Sequence, residues 1–111
     1  MIDEYKYGMF KIDGKQHYED IKIIGGRVRY WECRTREIAK EHLKDLLEEK
    51  PEVLVIGLGA GGLISVPDSV KMLLREKRIL LIADKNPAAC EKYNQALLAG
   101  KRVAALLPAR G

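Results

Sequence analysis

The chain has 111 residues and a mass of 12.6 kDa, the size of one domain, so we expect a single domain over residues 1–111. Hydrophobic residues make up 47% of the chain and charged residues 32%, which excludes a disordered chain because there is enough apolar material for a core. The net charge of +4 lies entirely after residue 50, since residues 1–50 hold 11 basic and 11 acidic residues. No segment approaches the ~20 apolar residues that span a bilayer, and the first residues lack a signal-peptide pattern. We therefore expect a cytoplasmic protein without membrane contact.

The chain's cysteines and histidines exclude two other classes of protein. Cys33 and Cys90 are too far apart in the sequence to suggest a disulfide framework. His17 and His42 lie far from each other and from both cysteines, so the short ligand spacings of a zinc site do not occur. We predict no metal.

Alternating apolar residues predict a small antiparallel β meander over residues 5–32. The Asp13-Gly14 pair favours a type I′ hairpin turn. Gly25-Gly26 forms a second turn signal before the segment RVRYW, whose alternation is typical of a strand with one covered face.

An apolar stripe from Ile38 to Leu47 predicts a helix after the meander. Thr35 is its expected N-cap, and Pro51 ends it. The stripe also carries His42, which we interpret as a packed or half-exposed side chain rather than a catalytic base.

Strands and helices alternate after residue 51. The continuous apolar runs 53–56, 79–82 and 103–107 predict buried strands. Helices are expected from Pro67 to Lys77 and from Asn86 to Gly100, so this half forms a βαβαβ unit with right-handed crossovers. No linker separates it from the meander, and we expect the two parts to share one core.

A glycine-rich loop follows the first of these buried strands. Gly57, Gly59 and Gly62 match the pattern G-x-G-x-x-G, and Asp84 ends the next strand 22 residues after Gly62. In dinucleotide-binding proteins such glycines let backbone N–H groups approach a pyrophosphate, and the acid binds ribose hydroxyls. An adenosyl-cofactor site would use a similar loop and acid.

The position of Pro67 favours a different interpretation of the same loop. A helix running on from Gly59 would carry Pro67 in its interior, at a cost of about 3 kcal/mol. A helix that begins at Pro67 leaves residues 57–66 as a loop at the carboxyl edge of the sheet, where ligands of many kinds bind. The cofactor site and the plain loop both stay open at this point.

Lys101, Arg102 and Arg110 flank the last predicted strand, and Lys77-Arg78 precede the second. We expect these basic residues to form a positive rim near the glycine loop that attracts phosphate or an acidic partner. The candidate ligand-binding residues are Gly57, Gly59, Gly61, Gly62, Asp84, Lys101 and Arg102. No Ser/His/Asp or Cys/His set can be nominated as catalytic. Nucleic acid is a disfavoured partner because the few aromatic residues are mostly placed on strands.

Several motifs, taken together and in order, resemble one known family. They are Asp3-Glu4-Tyr5, Ile12 to Lys15, Tyr18 to Ile21 and Trp31 in the first half, and Glu49 to Gly59, Val66-Pro67, Tyr93-Asn94 and Gly100 to Ala105 in the second. The sequence is similar to the family of small single-domain proteins that includes the mitochondrial complex I assembly factor 3 and the adipogenesis-associated domain protein, with many bacterial and archaeal members.

This resemblance implies a three-layer α/β domain with a mixed sheet, in which an antiparallel meander is followed by a helix and a βαβαβ unit. It implies no established enzymatic activity and no cofactor, and the link of eukaryotic relatives to complex assembly suggests a binding or scaffold role. The chain departs from the family at Thr35-Arg36, Asn86 and Pro108 to Gly111. Relatives often carry Gly-His, Thr and a His-x-Thr-Cys ending at these three places.

Two hypotheses about function follow. The first is a non-enzymatic binding or assembly module that recognises a protein partner or a small anionic ligand near the glycine loop. The alternative is a nucleotide- or S-adenosylmethionine-binding enzyme with a half-Rossmann-like site. A homodimer could also form through an exposed edge strand of the meander.

Overall fold

The computed structural model describes residues 1–111, which form two β-sheets and three α-helices. A short 3₁₀ helix, Lys40–Leu43, precedes the first α-helix. The elements in chain order are β1 Ile2–Lys6, β2 Met9–Ile12, β3 Lys15–His17, β4 Asp20–Ile24, β5 Arg27–Trp31, α1 Lys44–Glu48, β6 Val53–Gly57, α2 Asp68–Glu76, β7 Leu80–Asp84, α3 Asn86–Leu98 and β8 Val103–Leu107.

The central sheet is mixed and five-stranded, in the order β5-β4-β8-β6-β7. Strands β7, β6 and β8 are parallel, and β4 runs antiparallel to β8 and to β5. One face packs against α3 and the separate three-stranded sheet β1-β2-β3, in a core that includes Phe10, Val55 and Tyr93. The other face packs against α1 and α2 through residues such as Leu46 and Leu74. The predicted fold class, a three-layer α/β domain with a mixed sheet, is confirmed.

The first five strands do not form one continuous meander, which corrects the prediction over residues 5–32. The Asp13-Gly14 hairpin joins β2 to β3 as predicted, with positive φ at both residues. The chain then leaves that sheet, and β4 pairs with β8 in the register Ile21↔Leu107. The reason is burial: Ile21, Ile23 and Ile24 occupy both faces of β4 and are all buried, so β4 needs covering on both sides.

The helix predicted from the apolar stripe is shorter than expected, and regular α-helix covers only α1. The Ile38 N–H donates to the Ser65 carbonyl at 2.9 Å, which holds residue 38 against the glycine-loop segment. The Ala39 N–H donates to Nδ1 of His42, also at 2.9 Å, so the chain turns into a 3₁₀ helix first. Thr35 therefore lies outside the helix and is not its N-cap.

The βαβαβ unit follows the prediction closely. Helix α2 begins at Asp68 with Pro67 as its N-cap, and α3 carries a proline in its first turn. The first crossover runs from β6 to β7, and the second runs from β7 past β6 to β8, so β7 and β8 lie on opposite sides of β6. The carboxyl ends of the parallel strands β6 and β8 lie at the same edge of the sheet, the edge where open α/β sheets bind ligands. None of the helices combines the length and apolar character needed to cross a membrane.

Candidate functional site

The chain's own residues 108–111 fold across the carboxyl ends of β6 and β8 and contact the glycine loop. The Gly61 N–H donates to the Gly111 carbonyl at 2.8 Å. The buried Asn86 side chain joins the two segments, because its Nδ2 donates to the Pro108 carbonyl and its Oδ1 accepts from the Gly59 N–H. The loop therefore binds its own chain at the position where a dinucleotide fingerprint would bind a pyrophosphate.

Close internal packing explains two of the glycines without any ligand. A Cβ at Gly57 would overlap Oδ1 of Asn86 and would lie 2.9 Å from the side chain of Leu107. Gly59 has φ +89°, and a Cβ there would lie 2.7 Å from the Gly111 carbonyl carbon. Only glycine fits such approaches without moving the backbone.

Residues 108–111 are also tied to both sheets through Ala109. Its carbonyl accepts hydrogen bonds from the Tyr5 hydroxyl and the Gly8 N–H, each at 2.9 Å. Its N–H donates to Oδ1 of Asp20 at 2.7 Å, and Oδ2 of Asp20 accepts from the Cys33 N–H at the same distance. One carboxylate at the start of β4 thus positions the segment after β8 and the segment after β5.

A pocket of about 290 Å³ lies beside this segment, and we call it the arginine pocket. Its walls come from the segment after β5, the glycine loop and the residues after β8. The lining residues are Asp20, Cys33, Thr35, Arg36, Leu63, Ile64, Pro108, Arg110 and Gly111. A wider depression of about 570 Å³ shares Asp20 and Arg110 and adds the aromatic side chains of Tyr18, Tyr30 and Trp31.

The charges around the arginine pocket are predominantly positive. Arg36 and Arg110 form no salt bridge within the chain, whereas both carboxylate oxygens of Asp20 already accept backbone N–H groups. Lys85 also forms no salt bridge, and its aliphatic stem lies over Gly62 of the glycine loop. The pocket is therefore lined by two arginines without an ion-pair partner in the chain, and the guanidinium group of Arg110 lies over Gly8. Guanidinium groups are suited to bind phosphate or carboxylate.

The nearby thiol and histidine lack the arrangement of a nucleophile and its base. The Cys33 thiol donates to the Thr35 carbonyl at 3.4 Å, and burial raises the pKa of this thiol above its ordinary value. His42 accepts the Ala39 N–H and packs against the Trp31 ring, with 5.6 Å between the ring centroids. No cluster of three or more His, Cys, Asp or Glu side chains could hold a metal ion.

The structure brings some of the predicted site residues together at one edge of the sheet. Gly57 ends β6 next to Asp84, its register neighbour at the end of β7, and Gly59, Gly61 and Gly62 follow in the loop. The Asp84 carboxylate accepts from Lys92 Nζ at 2.9 Å, and this hydrogen bond lowers the pKa of Asp84. Its oxygens are thus engaged within the chain.

Lys101 and Arg102 lie at the opposite edge, which corrects the expected positive rim at the glycine loop. They precede β8, whereas Gly57 ends the parallel strand β6, so the length of a strand separates them. The Arg102 N–H instead donates to the Glu52 carboxylate at 2.8 Å. The net positive charge at the site comes from other residues.

Sequence reasoning did not nominate Arg36, Lys85 and Asn86 as site residues, and it named Arg110 only as part of the positive rim. A signal was present, because the three places where the chain departs from the family it resembles include Arg36, Asn86 and Arg110. In the structure these three places converge on the arginine pocket and on the carboxyl ends of β6 and β8 beside it.

Three solved structures place the chain among known proteins. An outer membrane protein from Bartonella henselae is 31% identical, with a TM-score of 0.85 and coverage of 99% of this chain and 94% of that one. A conserved hypothetical protein from Pyrococcus horikoshii is 26% identical, with a TM-score of 0.84 and coverage of 100% and 99%. A Mth938-like domain from Bordetella pertussis shares the fold at 21% identity, with a TM-score of 0.69 and coverage of 99% and 86%.

The sequence also matches, over residues 2–108, a family described as proteins of unknown function, DUF498/DUF598. The match spans every strand and helix of the fold described above. The chain therefore belongs to the DUF498/DUF598 family.

Proposed function

We propose that this protein is a non-enzymatic binding module that holds a small anionic ligand in the arginine pocket. The observation that carries the proposal is that two arginines without a carboxylate partner in the chain, Arg36 and Arg110, line one pocket. The pocket lies at the carboxyl edge of β6 and β8, the edge at which open α/β sheets bind ligands.

The chemistry of the pocket indicates a ligand with a phosphate or carboxylate group. A guanidinium group presents a planar fork of N–H donors that matches two oxygens of either anion. The volume of about 290 Å³ is at the lower end for small-molecule sites, which favours a small ligand. The absence of a paired nucleophile and base supports binding rather than catalysis.

The alternative, a nucleotide- or S-adenosylmethionine-binding enzyme, receives less support from the geometry. Helix α2 begins after Pro67, so residues 63–66 separate its N-terminus from the glycines that would contact a pyrophosphate. The loop's Gly59 and Gly61 N–H groups are used within the chain. The resemblance to the family of complex I assembly factor 3 also supports a binding role. We further propose a cytoplasmic location, supported by two cysteines that form no disulfide.

Thermal unfolding in the presence of inorganic phosphate, pyrophosphate or citrate tests the proposal. A ligand at 100 times its Kd adds about 2.7 kcal/mol of stability, which raises the Tm of a domain of this size by roughly 10 °C. We expect at least one of these anions to raise Tm in a saturable way. NAD, NADP and S-adenosylmethionine serve as probes for the alternative.

A matched pair of double variants separates site binding from general attraction to a basic protein. Arg36→Gln with Arg110→Gln removes two positive charges at the pocket, and Lys101→Gln with Arg102→Gln removes two at the opposite edge. We expect only the first pair to abolish the shift. No shift with any of the three anions, or an equal loss in both double variants, would contradict the proposal.

A further inference from the structure

Strand β7 leaves one edge of the central sheet open. It is the last strand in the order β5-β4-β8-β6-β7. Its first four residues, Leu80-Leu81-Ile82-Ala83, carry no charge or proline, and Asp84 ends it. Leu80 is 60% exposed. Natural proteins usually protect a sheet edge with charged residues, proline or a bulge, and on β7 the terminal Asp84 is the one charged residue.

The free main-chain groups of β7 follow from its pairing with β6. The Leu80 N–H donates to the Glu52 carbonyl, and the Asp84 carbonyl accepts from the Leu58 N–H. Residues 80, 82 and 84 therefore face β6, because hydrogen bonds along a parallel strand alternate between its two sides. The N–H and C=O groups of Leu81 and Ala83 consequently point away from the sheet.

An antiparallel pairing of β7 with a second copy of itself matches these groups in one register. With Leu81 opposite Leu81, the two copies of this residue exchange a pair of hydrogen bonds. Each Ala83 N–H then reaches the Ile79 carbonyl of the other copy, whose own N–H is already bonded to Leu74. A shift by two residues, with Ile82 opposite Ile82, would place Leu80 opposite Asp84, an apolar group against a charge.

The same register is also complementary in charge. It brings Arg78, which precedes β7, next to Asp84 at the end of the opposite strand, and symmetry produces this contact twice. Arg78 is exposed and forms no salt bridge within the chain. Asp84 forms one ion pair within the chain, with Lys92, so a second cation beside its carboxylate adds attraction.

The surface beside β7 is shaped to accept such a partner. A groove of about 610 Å³ runs between β7 and α3, and its lining is mostly apolar. Small residues, Ala96 and Ala99, lie on its α3 wall, so the α3 helices of two copies can approach each other. The opposite edge strand, β5, differs because Arg27 and Arg29 stand exposed along it.

We propose that β7 is a self-association surface and that two copies of the chain join their central sheets through antiparallel β7–β7 pairing centred on Leu81. The occupant is a second copy because the hydrogen-bonding groups, the apolar residues and the opposite charges are complementary to themselves. We thus place the pairing of two copies at β7, in the βαβαβ unit. The sequence alone predicts an edge strand of the N-terminal meander for this role.

Sedimentation equilibrium of the full chain, from about 10 μM to about 1 mM, tests the pairing because a modest interface gives a Kd in the micromolar range. We expect a monomer–dimer equilibrium. Arg78→Glu places like charges opposite each other twice, so it should weaken dimerisation roughly 10- to 30-fold. The double variant Arg78→Glu with Asp84→Arg restores opposite charges and should recover most of the affinity.

Arg29→Glu is the matched control, since it makes the same charge reversal on the other edge strand and should leave the Kd unchanged. Amide hydrogen exchange gives a second measurement, in which the Leu81 and Ala83 N–H groups become protected as concentration rises. A monomer throughout the concentration range would overturn the proposal. So would a dimer that Arg29→Glu weakens as much as Arg78→Glu, or one that the double variant fails to restore.

Discussion

Asn86 is expected to be the most sensitive polar residue of the fold. Its side chain is fully buried and links the Gly59 N–H to the Pro108 carbonyl. Asn86→Ala leaves both groups buried without a partner, and each costs about 1–3 kcal/mol. We therefore expect a loss of about 2–5 kcal/mol, a large part of the 5–15 kcal/mol typical of a domain.

Chemical denaturation followed by circular dichroism measures this loss, and Asn94→Ala is the matched control. Asn94 lies on the same helix and makes the same kind of double contact, to the N–H and carbonyl of Ile2. It is only half-buried, so water can replace its bonds and the expected cost is about 1 kcal/mol.

Asn86→Asp adds a test with a definite pH dependence. One oxygen of the introduced carboxylate can still accept the hydrogen bond from the Gly59 N–H. Its second oxygen faces the Pro108 carbonyl oxygen, and only a protonated carboxyl group can donate a hydrogen bond to that oxygen. Its folded-state pKa is therefore raised above the ordinary value of about 3.9. The variant's deficit relative to the natural chain should be smallest below about pH 4 and grow toward neutral pH. A pH-independent deficit, or a loss below 1 kcal/mol for Asn86→Ala, would refute the reasoning.

Three further predictions concern other parts of the fold. Gly59→Ala combines a positive φ with a Cβ 2.7 Å from Gly111, so it should cost about 1–3 kcal/mol in denaturant unfolding and shift the NMR signals of residues 108–111. Burial lowers the pKa of His17, so the unfolded chain binds the proton more tightly and stability should fall as pH drops below about 6.5. His17→Gln should flatten that dependence between about pH 5 and pH 7. Asp45→Asn leaves the buried Lys22 ammonium, now 2.9 Å from Asp45, without its counter-ion and should cost about 1–2 kcal/mol, less than a fully buried pair because Asp45 is partly exposed.

Each of these predictions has its own contrary outcome. Gly14 has a similar φ of +83° with open space around it, so an equal cost for Gly14→Ala would show that the contact with Gly111 adds nothing. If the stability of His17→Gln depended on pH as that of the natural chain does, protonation of His17 would not be the cause of the loss of stability in acid. If Lys22→Met proved more damaging than Asp45→Asn, the charge would not be the dominant cost at that position.

The parts of the fold that local sequence determines were predictable. Asp13-Gly14 specifies its hairpin because both residues can adopt positive φ, as they do here. Pro67 marks the start of α2 because it cannot lie within the helix, and the apolar runs of the second half locate the three parallel strands. These features depend on residues that are neighbours in the sequence.

The parts that depend on distant residues were not predictable in the same way. Nothing near β4 in the sequence reveals that it pairs with β8, and the apolar stripe around Ile38 gives no sign that Ser65 holds it out of a helix. The position of Lys101 and Arg102 could have been deduced from the sequence. These two residues precede β8, whereas the glycine loop follows the parallel strand β6, and the two ends of parallel neighbouring strands lie at opposite edges of the sheet. The convergence of Arg36 and Arg110 required the structure.

The position of β8 has a consequence for how the chain can be made. This strand comes last in the sequence but lies in the middle of the central sheet, between β4 and β6. During synthesis the β4–β5 hairpin and the β6–β7 pair therefore have no common strand until residues 103–107 have left the ribosome. We expect folding to complete only after that point, with slow kinetics set by long-range pairing. Until then the apolar faces of β4 and β6 are exposed to other nascent chains. We therefore expect aggregation to occur mainly in this interval.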